Sequence, residues 1–161
     1  MGNYQPVQEA HMTLAIATIS NAITDLSVTG LTIKDIDEIP QAVINRDCPL
    51  LVPNPDNYVS RFLVAPDSFG VGSSRKWTAS YTLNYLLLYA AAGSGRTTVL
   101  EKYSGMVTAA FAFFDALLAS SALTGTVDFE PDMIGDFGMT TFSGTSFHSC
   151  GVSLNVKEFV N

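Results

Sequence analysis

Residues 77–89, Trp77-Thr78-Ala79-Ser80-Tyr81-Thr82-Leu83-Asn84-Tyr85-Leu86-Leu87-Leu88-Tyr89, decide the fold class. Trp77, Ala79, Tyr81, Leu83, Tyr85, Leu87 and Tyr89 share one side of an extended chain, and Thr78, Ser80, Thr82 and Asn84 share the other. A period of two with one apolar and one polar face is that of an antiparallel strand buried on one side. From Tyr85 to Ala92 the polar residues stop, which predicts that both faces are covered there. Upstream, Tyr58–Val64 reads as a second strand. Phe69-Gly70-Val71-Gly72-Ser73-Ser74 supplies a turn or loop between them. Residues 58–89 are therefore expected to form a long β-hairpin.

Helical spacing flanks this hairpin. Met12, Ile16, Ile19, Ile23 and Leu26 recur at intervals of four and three, predicting a helix over about 8–26, after a loose arm at 1–7. After Ala92-Gly93-Ser94-Gly95-Arg96, the pattern Thr98-x-x-Glu101 fits a capping box. The helix that follows carries Val99/Leu100, Tyr103, Met106/Val107, Ala110/Phe111, Phe114 and Leu117/Leu118, and is expected to lie across the sheet and bury three phenylalanines. Residues 27–58 read as irregular: a short strand at 28–33, an acidic cluster of Asp35, Asp37 and Glu38, and a proline-rich loop over 40–57 with Pro49, Pro53 and Pro55. Three closing strands are expected at about 125–131, 137–142 and 151–159. The order helix, strands, helix, strands indicates one α+β domain over residues 1–161, a mostly antiparallel sheet packed against two helices.

Composition excludes several classes. Acids outnumber bases 15 to 8, a net charge of −7, with a pI near 4.5. A general nucleic-acid binder needs a basic footprint, and anionic membranes attract bases. Ten Phe, six Tyr and one Trp argue against disorder. Met1-Gly2-Asn3-Tyr4-Gln5-Pro6 shows neither a basic nor an apolar signal region, and the apolar run Met106–Ala119 is too short for a membrane span. Charged residues are only 14% of the chain, against about 25% on average. A surface so poor in charge is expected to be covered in part by other subunits.

No catalytic, cofactor or metal constellation stands out. Two histidines and two distant cysteines, Cys48 and Cys150, make no zinc pattern and no disulfide framework; buried free thiols are expected. His148 and Cys150 lie two apart, but no orienting third group is evident. Gly93-Ser94-Gly95-Arg96 before a helix is placed to meet an anion, yet lacks the spacing and lysine of a phosphate loop. Asp128, Glu130, Asp132 and Asp136 gather near one turn, and Asp128 and Glu130, alternating with Val127 and Phe129, are expected to face solvent. Basic residues gather elsewhere, at Arg75, Lys76, Arg96 and Lys102. Such segregation suits head-to-tail contacts between identical subunits.

One series of motifs resembles a known group: Cys48-Pro49-Leu50-Leu51-Val52-Pro53, Asp67-Ser68-Phe69-Gly70, Lys76-Trp77-x-x-x-Tyr81-x-Leu83-x-Tyr85-x-x-Leu88-Tyr89, Gly93-x-Gly95-Arg96 and Gly144-x-x-Phe147-His148. In order and in overall length these are similar to the neck and tail-completion proteins of long-tailed bacteriophages, most of all to the tail terminators. The resemblance implies an α+β domain that forms a hexameric ring on the tail tube, stops its growth and presents a surface to the head connector. It implies no turnover, no cofactor, and a place in the virion neck after assembly in the host cytoplasm. Its partners would be further copies of itself, the tail-tube protein and the connector or stopper, with DNA passing through without sequence-specific binding. Interface candidates are then Phe69, Ser73, Arg75 and Lys76 around the hairpin loop, Arg96, and Pro53 and Pro55. Asp128, Glu130 and Asp132 become candidate lumen-facing acids that repel phosphate. Two alternatives stay open. One is a head-completion or stopper protein. The other is a small-ligand pocket protein, with Trp77, Tyr81, Tyr85 and Tyr89 lining the pocket.

Overall fold

The computed structural model of the chain describes residues 16–45, 47–66, 77–93, 99–120, 127–142 and 144–160. Helix α1 spans 16–24. It is followed by β1 (Thr32–Ile33), a 3-10 turn (Ile36–Glu38), α2 (Ile39–Asn45), β2 (Leu50–Pro53), β3 (Val59–Pro66), β4 (Trp77–Ala91), α3 (Val99–Ala119), β5 (Asp128–Phe142) and β6 (Thr145–Val160). The six strands form one sheet, antiparallel except for the parallel pair β1–β2. The α+β class expected from the sequence is the class observed.

β4 is the spine. β6 runs antiparallel along one of its edges, from Trp77↔Val160 to Ala91↔Phe147. The other edge is shared: β3 pairs with residues 77–83 and β2 with residues 85–88. The two meet at Asn84, whose N–H donates to the Tyr58 carbonyl (2.8 Å) and whose carbonyl accepts from the Asn54 N–H (3.0 Å). β5 lies outside β6 and forms an edge of the sheet.

The alternation of β4 sets the packing. Tyr81, Leu83, Tyr85 and Leu87, with Cys150, Val152, Leu154 and Val156 of β6, face α1 and α3. Ile19 and Ile23 of α1 and Met106, Ala110, Phe113, Phe114 and Leu117 of α3 complete this core. Each large side chain buried there contributes about 1.5–3 kcal/mol. The opposite face is apolar only where the polar residues of β4 stop. There Leu88 meets Leu50, Val52 and Phe147 under Ile39, Ala42 and Val43 of α2.

Three expectations are corrected. Residues 40–57 are not a loop throughout. Pro40 is the second residue of α2, where a missing N–H costs nothing, and Pro53 closes β2 instead of breaking it. The acidic cluster caps this region: the Asp35 carboxylate accepts from the Ile36 N–H, and Glu38 accepts from the Asp35 N–H. The three closing strands are two. β5 runs through Pro131 and Gly135 because it bulges at both places, with Asp136 in left-handed geometry (φ 53°). Finally, α3 buries Phe113 and Phe114 but leaves Phe111 56% exposed. Residues before 16, the turn or loop expected at 69–74 and the Thr98 cap lie outside the described residues.

Candidate functional site

The face of the sheet opposite α1 and α3 stays open beyond α2, and its floor is polar and uncharged. Thr82 Oγ1 donates to Asn155 Oδ1 (2.8 Å), Asn84 Nδ2 to Ser60 Oγ (2.9 Å), and Ser153 Oγ to Asn84 Oδ1 (2.9 Å). These bonds tie β3, β4 and β6 together side chain to side chain. A satisfied polar network of this kind fixes strand register.

A groove of about 600 Å³ runs over this floor, lined by Ser80, Thr82, Asn155, Lys157, Asp128 and Glu130 and by Tyr81, Phe129 and Val156, with Arg61 beside it. Register explains the acids: Asp128 stands opposite Lys157 and Glu130 opposite Asn155, both on the open face. Arg61 comes from a bulge in β3 and holds a φ of 54°. Its guanidinium reaches across the two central strands to Asp132 on β5, at 3.8 Å. A pair so exposed contributes under about 1 kcal/mol.

A second concave surface lies on the other side, between α3 and β5. Phe111, Phe114 and Leu118 face Pro131, Met133 and Ile134 across a shallow groove of about 370 Å³, with Asp115 and Asp132 beside it. Nearer the start of the helix, the Tyr103 and Phe137 rings meet with centroids 5.0 Å apart.

The candidate residues distribute as follows. Asp128, Glu130 and Asp132 are together on β5 and exposed, as expected. Pro53 is buried in β2, which removes it as an interface residue, while Pro55 is exposed in the turn that follows. Phe69, Ser73, Arg75, Lys76 and Arg96 lie outside the described residues. Lys102, grouped with the basic residues on sequence, is buried. Tyr81 and Tyr85 are both buried in the core; Tyr81 still contributes to the lining of the 600 Å³ groove, while Tyr85 is bonded to Tyr58, which bonds in turn to Ser20 of α1. Cys150 is buried in the core, where burial pushes its thiol up to about 11. A thiol so held stays protonated and is a poor nucleophile. His148, half-buried, stands opposite Met139 on β5. Among the described residues no group of three His, Cys, Asp or Glu side chains is arranged to hold a metal, and no helix is long and apolar enough to cross a membrane.

Two features escaped the sequence reading. The Arg61 bulge was signalled by Phe62-Leu63-Val64, three apolar residues where alternation allows two. The exposure of Phe111 was signalled by its place on the stripe Glu101, Ser104, Thr108 and Asp115, at intervals of three and four. No protein-family model matches the chain, and no curated protein matches its sequence.

Proposed function

We propose that the chain is a structural subunit of the neck of a long-tailed bacteriophage, a ring-forming tail terminator that caps the tail tube and joins it to the head connector. One observation carries the reading. Nine large apolar side chains among the described residues are 37 to 62% exposed, in a chain with only 14% charged residues. A surface of that kind suits a protein whose working state is an assembly. The acids exposed along β5 fit the same reading: in a ring they would line a passage for DNA and keep phosphates from sticking. The contacts would be made by shape and patch chemistry, with further copies of the chain, the tube protein and the connector as partners. A stopper at the connector differs from this only in which neighbours are met.

A second reading rests on the 600 Å³ groove. Its size lies within the range of small-molecule sites, and its mixed lining, with Tyr81, Phe129 and Val156 beside Ser80, Thr82 and Asn155, would suit an amphipathic ligand. Native mass spectrometry over a range of concentrations separates the two. A six-fold ring, alone or on added tail tubes, supports the terminator. Twelve copies on a connector support the stopper. A strict monomer that ignores tubes and carries a bound small molecule overturns the neck reading in favour of the pocket.

A further inference from the structure

The two edges of the sheet carry unlike surfaces. On β3, the bulge presents Arg61, whose side chain is 74% exposed, followed by Phe62 and Leu63, 45% and 62% exposed. On the opposite edge, the groove between α3 and β5 has apolar walls of Phe111, Leu118, Pro131 and Met133, and the carboxylates of Asp115 and Asp132 beside them. One surface is a cation with two apolar side chains; the other is an apolar trough with two anions.

We propose that the Arg61-Phe62-Leu63 bulge of one copy seats in the α3–β5 groove of the next, with Phe62 and Leu63 against the trough and Arg61 between Asp115 and Asp132. The inference rests on reading the chain as a self-assembling subunit, and it names the surfaces involved. Three observations select this pairing. Groove against groove would bring four carboxylates together with only the two Arg61 guanidinium groups to offset them, and bulge against bulge would set two guanidinium groups face to face, so the symmetric pairings leave like charge less well matched than the head-to-tail one. Strand addition along β5 is blocked by Pro131 and by bulges on either side of Met133 and Ile134, and along β3 by the bulge itself. Contact must therefore run through side chains. Lastly, the Arg61–Asp132 ion pair within one copy is loose, at 3.8 Å and largely in water, so Arg61 exchanges its own Asp132 for a neighbour's at little cost. Because donor and acceptor surfaces sit on opposite edges, the contact is heterologous and repeats from copy to copy, closing into a ring if the rotation allows.

The test uses the full chain with Leu63→Glu, which spoils the bulge, and Met133→Glu, which spoils the groove. Both sites are exposed, and an unchanged melting temperature checks the fold. Each variant alone is expected to weaken self-association roughly tenfold or more. Mixed one to one, they are expected to form heterodimers and no larger ring, since each supplies the surface the other lacks. A charge exchange, Arg61→Asp with Asp115→Arg and Asp132→Arg, is expected to lose assembly in the single-sided variants and recover it when all three changes are combined. If the parent protein assembles and both glutamate variants assemble equally well, the surfaces are wrong while the self-assembly reading stands. If the parent protein is a monomer at every concentration, with or without tail tubes, the self-assembly reading itself fails and the contact with it.

Discussion

Glu158 is 4% exposed on the helix-covered side of β6, and the Tyr81 hydroxyl donates to its Oε2 at 2.9 Å. Burial pushes its carboxyl above the ordinary carboxylate range, against a smaller opposing effect of the Tyr81 hydrogen bond. Tyr81 is raised too, by its own burial and then by the Glu158 charge, so it stays protonated wherever Glu158 titrates. A carboxyl whose folded pKa exceeds its unfolded value of about 4.3 binds more protons folded than unfolded between the two. Stability therefore falls as pH rises through that window, and the full penalty is present above the folded pKa. Glu158→Gln keeps an acceptor for Tyr81 and removes the charge. Its melting temperature relative to the parent is expected to improve as pH rises from about 4 to 7. A difference independent of pH would refute this role. The pair was not legible in the sequence, because register alone brings residues 81 and 158 together. Glu158 falls in phase with Val152, Leu154 and Val156, an acid on an apolar row, and that phase was the available signal.

At the scale of the element, α3 separates two kinds of phenylalanine. Phe113 is fully buried, touching Tyr85 and Phe114 with ring centroids 5.8 and 5.7 Å apart. Phe113→Ala is expected to cost about 3–5 kcal/mol through lost contacts and a cavity. Phe111→Ala is expected to change stability by less than about 1 kcal/mol, like other surface truncations. Urea midpoints of the two variants check the contrast; equal losses would place Phe111 in the core. The existence of α3 was plain from its spacing, but which phenylalanine faces out was not, since apolar residues occupy nearly the whole circumference and blur the period. β4 was the reverse case. Strict alternation from Trp77 to Leu83 gave its face, its length to within two residues and the place where a second layer begins. Elements containing proline were the hardest. Pro40, Pro53 and Pro131 each look like a break, and each sits where the backbone tolerates one: a helix start, a strand end, an edge.

For the whole molecule, charge and apolar exposure act against each other. Near neutral pH a net −7 keeps copies apart except where surfaces match. Near the pI of about 4.5 that repulsion vanishes while the exposed apolar side chains remain. Light scattering is expected to rise steeply between pH 6 and 4.5 and to fall again on return to neutral pH. Unchanged scattering across the range would mean that the exposed side chains do not drive association. The polar open face follows from the alternation of β4. The grooves on either side do not, because they lie beside bulges in β3 and β5, and bulges leave little trace in one sequence.

The spine of the sheet also governs when the molecule exists. β4 finds its long partner late: Asn84 and Ser153 are 69 residues apart, and Tyr81 and Glu158 77. Contacts so distant close slowly. At ribosomal speeds of about 5–20 residues per second, roughly 3 to 15 s pass between the emergence of one strand and the other. For that interval the nascent chain carries α3 and an apolar strand with a bare edge. Where many copies are made at once, yield is then set during synthesis, by how well that half-built sheet is kept from its neighbours, more than by the stability of the finished fold.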